Sequence, residues 1–292
     1  MRLEGERESR NVEDRRGGGF RGGGGGFPVR IAGGGIGTVV LIVLALAFGV
    51  DPRVLLSGGG EAPQSQVTQR QETPASGQED GPRRFVAQVL ATTEDAWNDI
   101  FRSAGRQYDP PNLVLFSGGT QSACGFAQTA VGPFYCPADR KVYLDLAFFR
   151  DMEQKLGAPG EFARAYVIAH EVGHHVQNLL GILRRVEQER RGMDEAESNA
   201  LQVRIELQAD CLAGIWANRT EQMRRILEPG DLESGIGAAA AVGDDRLQRR
   251  AQGYVVPESF THGSSAQRVR WFRTGLESGD LRRCDTFGTN RL

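Results

Sequence analysis

The pentapeptide His-Glu-Val-Gly-His at residues 170–174 limits the possible folds of this 292-residue chain more than any other feature. Helical spacing of the surrounding apolar residues would place His170 and His174 about 40° apart on one helix face. Two imidazoles so arranged can reach one metal ion, and Glu171 beside them can take a proton from a water on that ion. The alternative is that both histidines make only structural hydrogen bonds.

A second helix is predicted near residues 194–218, and it carries Glu206 and Asp210 in the segment RIELQADCLAG. The two acids are four residues apart in an otherwise apolar run, where an ionised carboxylate needs a partner. A catalytic zinc takes three protein ligands and keeps one position for water, so Glu206 is the predicted third ligand. Asp210 is predicted to accept a hydrogen bond from one metal-binding imidazole and to fix its tautomer. The alternative is that one or both acids pair with arginines such as Arg204 or Arg219.

Hydrophobic periodicity predicts the other elements of the folded part. Apolar residues between Phe85 and Phe101 recur at helical spacing, which indicates a long helix that ends before Gly105. Residues from Lys141 to Leu146 alternate as a half-exposed strand does. The remaining predicted elements are a short strand at 113–116 and helices at 161–180, 232–242 and 266–278.

A stretch without charged residues occupies residues 31–50, and its last fifteen residues are strongly apolar. This length is about what a helix needs to cross a bilayer, so we predict one transmembrane helix. Four arginines between residues 15 and 30 precede it and only Arg53 follows closely, which favours a cytoplasmic N-terminus and an extracytoplasmic remainder. A cleaved signal peptide that ends at Ala45-Leu46-Ala47 is the alternative.

The segments on either side of this stretch lack the apolar residues that a core requires. Residues 1–30 are charged and then glycine-rich, and we predict a disordered cytoplasmic tail. Residues 51–82 are rich in Gly, Pro, Gln and Ser, which predicts a flexible linker. One folded domain is therefore expected at residues 83–292.

Four cysteines lie in the predicted domain, and none of them forms a CxxC pair. Such spacing argues against a zinc ribbon and suits two disulfides if the domain is outside the cytosol. Three pairings are possible, and we favour Cys124 with Cys136 and Cys211 with Cys284. Four buried thiols are the alternative.

Several longer stretches resemble the bacterial "putative neutral zinc metallopeptidase" family, within the gluzincin group of zincin metallopeptidases. They are VGPFYCPADRKVYLDLAFF, YVIAHEVGHHVQ, ELQADCLAG, GDDRLQRR and FTHGSSAQRVRWFRTGLESGD, together with the N-terminal RESRNVEDRR. The resemblance implies an α+β, zincin-like fold, mainly helical, with a small sheet whose edge strand lies over the HExxH helix. Val142 to Leu146 would be that edge strand and would pair with an extended peptide. An ordinary sheet strand is the alternative for this segment.

Peptide hydrolysis by a zinc-activated water requires a donor to the tetrahedral oxyanion as well as the base Glu171. His262, in the turn before the last helix, is the candidate donor, with Tyr254 behind it. A loop histidine that caps the following helix is the alternative. His175 lies about 140° from His170 around the helix and is predicted to pack rather than to bind the metal.

Together these features predict a membrane-anchored zinc metallopeptidase with one Zn²⁺ per chain, at the inner membrane of a bacterium. Its expected partners are a peptide or protein substrate and, through residues 31–50, the membrane. A net charge of -2 gives no basic field, so nucleic acid is not an expected partner. The alternatives are a non-catalytic zincin-like binding domain and a zinc amidase that acts on cell-wall peptide.

Overall fold

The computed structural model describes residues 1–17, 80–128 and 132–292. One strand and one long helix are followed by five successive strands, and helices make up the second half. The strands are β1 (Val12–Asp14), β2 (Asn112–Phe116), β3 (Gly119–Ser122), β4 (Gly125–Gln128), β5 (Phe134–Cys136) and β6 (Lys141–Asp145). The α-helices are α1 (Gly81–Ser103), α2 (Ala147–Gln154), α3 (Glu161–Leu179), α4 (Ile182–Glu189), α5 (Glu195–Arg224), α6 (Asp231–Ala241), α7 (Asp244–Gln252) and α8 (Ser265–Ser278).

Four of these strands form one sheet in the order β1-β2-β6-β5. β1 and β6 pair with β2 in parallel, and β5 pairs with β6 in the antiparallel direction. The prediction that Val142 to Leu146 form the edge strand is wrong, because β6 lies between two neighbours. β5 occupies the edge, and its three residues are too few to give a periodic signal in the sequence.

Close crossing of α5 and α8 builds much of the helical core. A Cβ atom at Gly275 would lie 1.9 Å from the backbone oxygen of Cys211, and one at Gly214 would lie 2.1 Å from that of Phe272. Only glycine permits this approach. α5 itself begins at a capping box in which Asp194 and Glu197 each bond the backbone of the other.

The N-terminal residues 1–17 belong to the folded structure. β1 pairs with β2 so that Val12 lies opposite Leu113, and Leu3 is buried in the core. Arg7 forms an ion pair of 2.8 Å with the buried carboxylate of Glu94. The predicted disorder of residues 1–30 is therefore wrong for this part, because its order comes from tertiary partners that composition does not reveal.

The transmembrane helix in the predicted fold class, and the single-pass location at the inner membrane, are corrected. Within residues 1–17, 80–128 and 132–292, no helix combines the length and apolar character that a bilayer crossing requires. The predicted span, residues 31–50, lies outside the described residues. The fold is a mixed, mainly helical one with small sheets.

Two disulfides, Cys124–Cys136 and Cys211–Cys284, join the pairs that we favoured from the sequence. The first ties the β3–β4 hairpin to β5, and the second ties α5 to the C-terminal segment.

Of the predicted linker, only residues 80–82 are described, and Gly81 and Pro82 already belong to α1. The periodic helices were predicted within a few residues, except that α5 continues to Arg224, while α2, α4 and α7 were not predicted.

Candidate metal centre

Three side chains from two helices converge on one point. His170 and His174 lie on α3 and Glu206 lies on α5, and their possible ligand atoms are all within 4.8 Å of one another. Oε2 of Glu206 is 3.2 Å from Nε2 of His170 and 3.5 Å from Nε2 of His174. In the part of the chain that the structure describes, no other group of three such side chains could hold a metal ion.

The spacing of these atoms fits zinc. Ligand atoms bound tetrahedrally to zinc at about 2.0–2.2 Å lie roughly 3.3 Å apart, close to both distances from the Glu206 oxygen. Two imidazole nitrogens and one carboxylate oxygen are also the donor set of many catalytic zinc sites, which keep a fourth position for water. The residues present therefore fit the ion that their types suggest.

A glycine lets the two ligand-bearing helices approach. Gly173 lies between the two histidines, and a Cβ atom there would be 3.0 Å from the backbone oxygen of Ala209. Ala209 in turn lies between Glu206 and Asp210 on α5. The contact between Gly173 and Ala209 thus fixes the helix spacing at the point where the ligands meet.

Asp210 holds His170 from the side away from Glu206. Its Oδ1 accepts a hydrogen bond of 2.9 Å from Nδ1 of His170, and the carboxylate also accepts two bonds of 2.8 Å from Arg268 and one from the hydroxyl of Tyr166. Burial alone would raise the pKa of Asp210, but the charge of Arg268 holds that pKa below its ordinary value. An ionised Asp210 keeps the proton of His170 on Nδ1 and turns Nε2 toward the metal position.

The pKa values of His170 and Glu206 indicate which of these two proposed ligands must lose a proton before a metal ion can bind. Burial lowers the pKa of His170, but hydrogen bonds to Asp210 and Glu206 outweigh it and raise that pKa to about 9. Burial would likewise raise the pKa of Glu206, but the nearby histidines hold it well below its ordinary value. A metal must therefore displace a proton from the imidazole, whereas the carboxylate is already ionised.

Glutamine side chains hold the other two proposed ligands. Nδ1 of His174 lies 2.9 Å from Oε1 of Gln177, whose amide nitrogen is anchored on Ile205 O and on Gln208. Since an amide oxygen only accepts, His174 carries its proton on Nδ1 and leaves Nε2 for the metal. Gln202 donates a hydrogen bond of 2.7 Å to Oε1 of Glu206, opposite the oxygen that faces the histidines.

Glu171 is buried beside the three proposed ligands. Burial raises the pKa of its carboxyl above the ordinary value, and the two histidines act in the opposite direction. Within the described ranges no hydrogen bond or ion pair engages this carboxylate, so its oxygens are free to accept a proton. Such a group is suited to general base catalysis near neutral pH.

The metal centre opens into a cleft of about 680 Å³. Most of its walls are apolar, and one of them is the segment from Pro133 to Pro137 that contains the edge strand β5. The hydroxyl of Tyr135 on β5 lies 3.0 Å from Nδ1 of His175 and accepts a hydrogen bond of 2.9 Å from Asn178, both on α3. Tyr135 therefore ties the edge strand to the helix that carries the metal site.

His175 takes no part in the metal cluster. Its ring is buried between the hydroxyl of Tyr135 and the backbone oxygen of Asp109, which is 2.6 Å from Nε2. Burial lowers the pKa of His175. A neutral imidazole that donates from Nε2 and accepts at Nδ1 satisfies both contacts.

His262 lines the same cleft, near the start of α8. Its Nδ1 lies 3.2 Å from Oδ1 of Asp244, whose Oδ2 accepts three backbone N–H groups of the loop at residues 261–263. Burial lowers the pKa of His262, but the charge of Asp244 outweighs it and the pKa is raised. Ser264, not His262, caps α8. Tyr254, which was predicted to lie behind His262, is 62% exposed, and among the described residues no hydrogen bond joins the two side chains.

Several residues of the site were missed in the sequence. Tyr166 and Gln202 each stand four residues before a proposed ligand on the same helix, and Gln177 stands three after His174, so helical spacing could have indicated them. Arg268 and Asp244 come from distant segments, and no local pattern connects them to the site.

Comparison with known proteins identifies the family of this chain. The chain matches the family model described as "Putative neutral zinc metallopeptidase" over residues 1–287. It is 50% identical over 291 residues to the "Uncharacterized protein YpfJ" of Escherichia coli (strain K12), and the match covers 99% of each chain. It is 40% identical over 258 residues to the "Uncharacterized protein Rv2575" of Mycobacterium tuberculosis (strain H37Rv), covering 85% of this chain and 86% of that one. No solved structure matches the chain significantly. The site has the HExxH ligand pattern that zinc metallopeptidases use, and the chain belongs to the family described as "Putative neutral zinc metallopeptidase".

Proposed function

We propose that the chain hydrolyses peptide bonds in peptides or proteins, with one Zn²⁺ per chain held by His170, His174 and Glu206. When bound, zinc supplies a water of lowered pKa and polarises the scissile carbonyl. Glu171 is the proposed base that takes the proton from that water and passes it to the leaving amine. Asp210 and Gln177 keep the two imidazoles in the tautomer that exposes Nε2.

One observation carries this proposal. Glu171 is buried and lines the cleft, its pKa is raised by burial, and no described side chain forms a hydrogen bond or ion pair with its carboxylate. A domain that used zinc only as a structural clamp would have no use for a buried carboxylate without a partner, since such a group costs stability. Its place beside the three converging ligands favours catalysis.

Substrate binding is proposed to use the free side of β5. Among the described strands β5 pairs only with β6, so its other edge offers backbone N–H and C=O groups to an extended peptide. His262 is the proposed oxyanion donor, because Asp244 holds its Nδ1 and leaves Nε2 as the nitrogen available in the cleft.

Two other functions are compatible with the same centre. A non-catalytic binding domain would bind zinc without hydrolysis, and a zinc amidase would cut cell-wall peptide but leave protein substrates intact. The unpartnered Glu171 argues against the first. The open edge of β5 beside the cleft favours an extended peptide over a compact cell-wall peptide.

The test is hydrolysis of casein by the zinc-loaded chain, compared with Glu171→Gln. We expect the parent to bind one zinc per chain and to cleave casein, and the variant to bind zinc equally while its rate falls by at least about a thousandfold. Glu189→Gln, an exposed acid on α4, is the matched control and should keep the parent rate. Cleavage that survives in Glu171→Gln would overturn the proposed mechanism.

A further inference from the structure

Arg190, immediately after α4, lines the cleft of the metal centre. Its Nη2 donates a hydrogen bond to Oε1 of Gln202, while its Nε is buried with no hydrogen-bond partner. No carboxylate of the described residues lies within ion-pairing distance of this guanidinium. Arg190 therefore places a positive charge in a mainly apolar cleft with only a neutral amide as its bonded partner.

Two other enclosed arginines, by contrast, have carboxylate partners. Arg268 makes two hydrogen bonds of 2.8 Å to Asp210, and Arg224 pairs with both Glu6 and Asp95. Burial lowers the pKa of Arg190, and the more distant charges of Glu187 and Glu206 only partly oppose that effect. A half-buried cation without a counter-ion costs stability, which a ligand anion would recover.

The free part of the guanidinium is accessible from the cleft. Nη1 makes no hydrogen bond to the described residues and, unlike Nε, is not enclosed. A planar guanidinium matches the two oxygens of a carboxylate, and the apolar walls strengthen such a charge-assisted bond. A peptide offers this partner in two places, an acidic side chain or its own C-terminal carboxylate.

Gln202 links Arg190 to the metal centre. It accepts from Arg190 and donates to Oε1 of Glu206 at 2.7 Å, so one amide separates the guanidinium from a proposed zinc ligand. A peptide whose scissile carbonyl lies at the metal would bring a carboxylate to Arg190 within a few residues of the cut. We propose that Arg190 recognises a substrate carboxylate and makes this proposed peptidase selective for peptides that carry one near the cleaved bond. This inference rests on the proposed function.

A purely structural Arg190 would give a different result. If it served only to orient Gln202 and hence Glu206, its loss would lower the hydrolysis rate of all substrates by the same factor. If it binds a carboxylate, its loss would remove the preference for charged peptides over neutral ones. The ratio of the two rates separates these roles whatever the absolute rate.

The experiment uses four acetylated tetrapeptides, acetyl-Phe-Leu-Phe-Xaa, in which Xaa is Glu or Gln and the C-terminus is acid or amide. Hydrolysis by the zinc-loaded parent is measured, and binding is measured calorimetrically to zinc-loaded Glu171→Gln. Binding requires no turnover, so a chain that discriminates in binding but cleaves nothing refutes the proposed peptidase and supports the carboxylate site.

We expect at least one carboxylate peptide to be favoured about tenfold or more over the Gln amide peptide. A preference for Glu over Gln in the amides identifies the side chain, and a preference for acid over amide in the Gln pair identifies the C-terminus. Arg190→Gln, placed in each background, should abolish the preference. Arg185→Gln, an exposed arginine on α4 that pairs with Glu189, should keep it.

A lack of discrimination among the four peptides in both hydrolysis and binding, or a preference that survives Arg190→Gln, would overturn the inference. If Arg190→Gln does not fold, Arg190→Lys tests whether the guanidinium recognises the carboxylate. Lysine keeps the charge but lacks the planar fork, so the preference should fall severalfold. An unchanged preference in Arg190→Lys would contradict recognition by the guanidinium.

Discussion

Oδ1 of Asp210 lies 2.9 Å from Nδ1 of His170, while Nε2 of the same ring faces Oε2 of Glu206 at 3.2 Å. The two carboxylates, one helical turn apart on α5, therefore contact opposite nitrogens of one imidazole. One of them shares the proposed metal position, and the other fixes the ring. Arg268 forms an ion pair with Asp210, so this buried carboxylate has a counter-ion.

Replacement of Asp210 by Asn should weaken zinc binding. The amide cannot match the charge that holds the proton of His170 on Nδ1, and Arg268 loses its counter-ion. We expect the zinc affinity to fall about 10- to 100-fold, as measured by competition with a chromogenic chelator. Asp99→Asn, on the exposed side of α1, is the control and should leave the affinity unchanged. Equal affinities of the parent and Asp210→Asn would show that this contact does not orient the ligand.

Replacement of Gly173 should separate α3 from α5. The added Cβ would meet the backbone of Ala209 at 3.0–3.2 Å, and backbone cannot yield as a flexible side chain can. We expect Gly173→Ala to cost about 1–3 kcal/mol of unfolding free energy and to lower zinc affinity, with Gly173→Val worse on both measures.

Gly237→Ala is the matched control for this change. Gly237 also lies in a helix, but a Cβ atom added there would have no neighbouring atom within 4 Å. Alanine there should raise the unfolding free energy slightly, by up to about 1 kcal/mol, and leave zinc affinity alone. If Gly173→Ala behaves like this control in urea unfolding and zinc titration, the close approach does not set the ligand geometry.

The sequence predicted the three converging side chains of the candidate metal centre better than the residues that surround them. Helical spacing explains the difference. Helical spacing alone places His170 and His174 on one face of their helix, and Glu206 and Asp210 on one face of theirs. Because a catalytic zinc needs three protein ligands, the two faces must then lie against each other. Their meeting depends on Gly173, whose significance emerges only when Ala209 is seen against it. Arg268 illustrates the limit, since a residue 58 positions from Asp210 in the chain is brought to it only by tertiary structure.

The fold was predicted less completely where elements are short or depend on distant partners. β5 has three residues and no periodicity, and the edge strand that the family resemblance implies was assigned to β6 instead. α4 has only eight residues and follows α3 after a turn at Gly181, whose φ is 77°, and it was not predicted. β1 has one apolar residue and is a strand because β2 offers it a partner. Local pattern contains none of this information.

Loss of the N-terminal segment should destabilise the whole chain. Leu3 is buried in the core, and β1 covers one edge of β2. We expect Leu3→Ser to lower the unfolding free energy by about 2–4 kcal/mol. The measurement is urea unfolding followed by circular dichroism. Glu4→Gln, at the exposed neighbouring position, should have no effect, and a Leu3→Ser chain as stable as the parent would contradict the docking of residues 1–17.

The two disulfides should differ in what they contribute to stability. Cys211–Cys284 closes a loop of 73 residues and Cys124–Cys136 one of 12, so the first restricts the unfolded chain more. We expect a Cys211→Ser, Cys284→Ser double variant to lose about 1–2 kcal/mol more than the Cys124→Ser, Cys136→Ser variant. Urea unfolding of both variants under oxidising conditions measures the difference, and an equal loss in the two would contradict the loop argument.

The alkaline limit of activity should depend on the contact between His262 and Asp244. Burial opposes protonation of His262, but Asp244 raises its pKa, so the imidazolium persists to higher pH than a free histidine. A charged donor stabilises the oxyanion better than a neutral one, and this contribution is present below the raised pKa and lost as pH rises through it. In Asp244→Asn the pKa should fall, and the alkaline limb of kcat/KM should move to lower pH.

His262→Gln separates this effect from damage to the loop. It keeps a hydrogen-bond donor but has no group that titrates, so kcat should fall about 10²- to 10³-fold and the limb assigned to His262 should disappear. Asp245→Asn is the control for Asp244→Asn, because Asp245 bonds Ser265 and contacts no histidine. An alkaline limb at the parent position in both Asp244→Asn and His262→Gln would exclude His262 as the oxyanion donor.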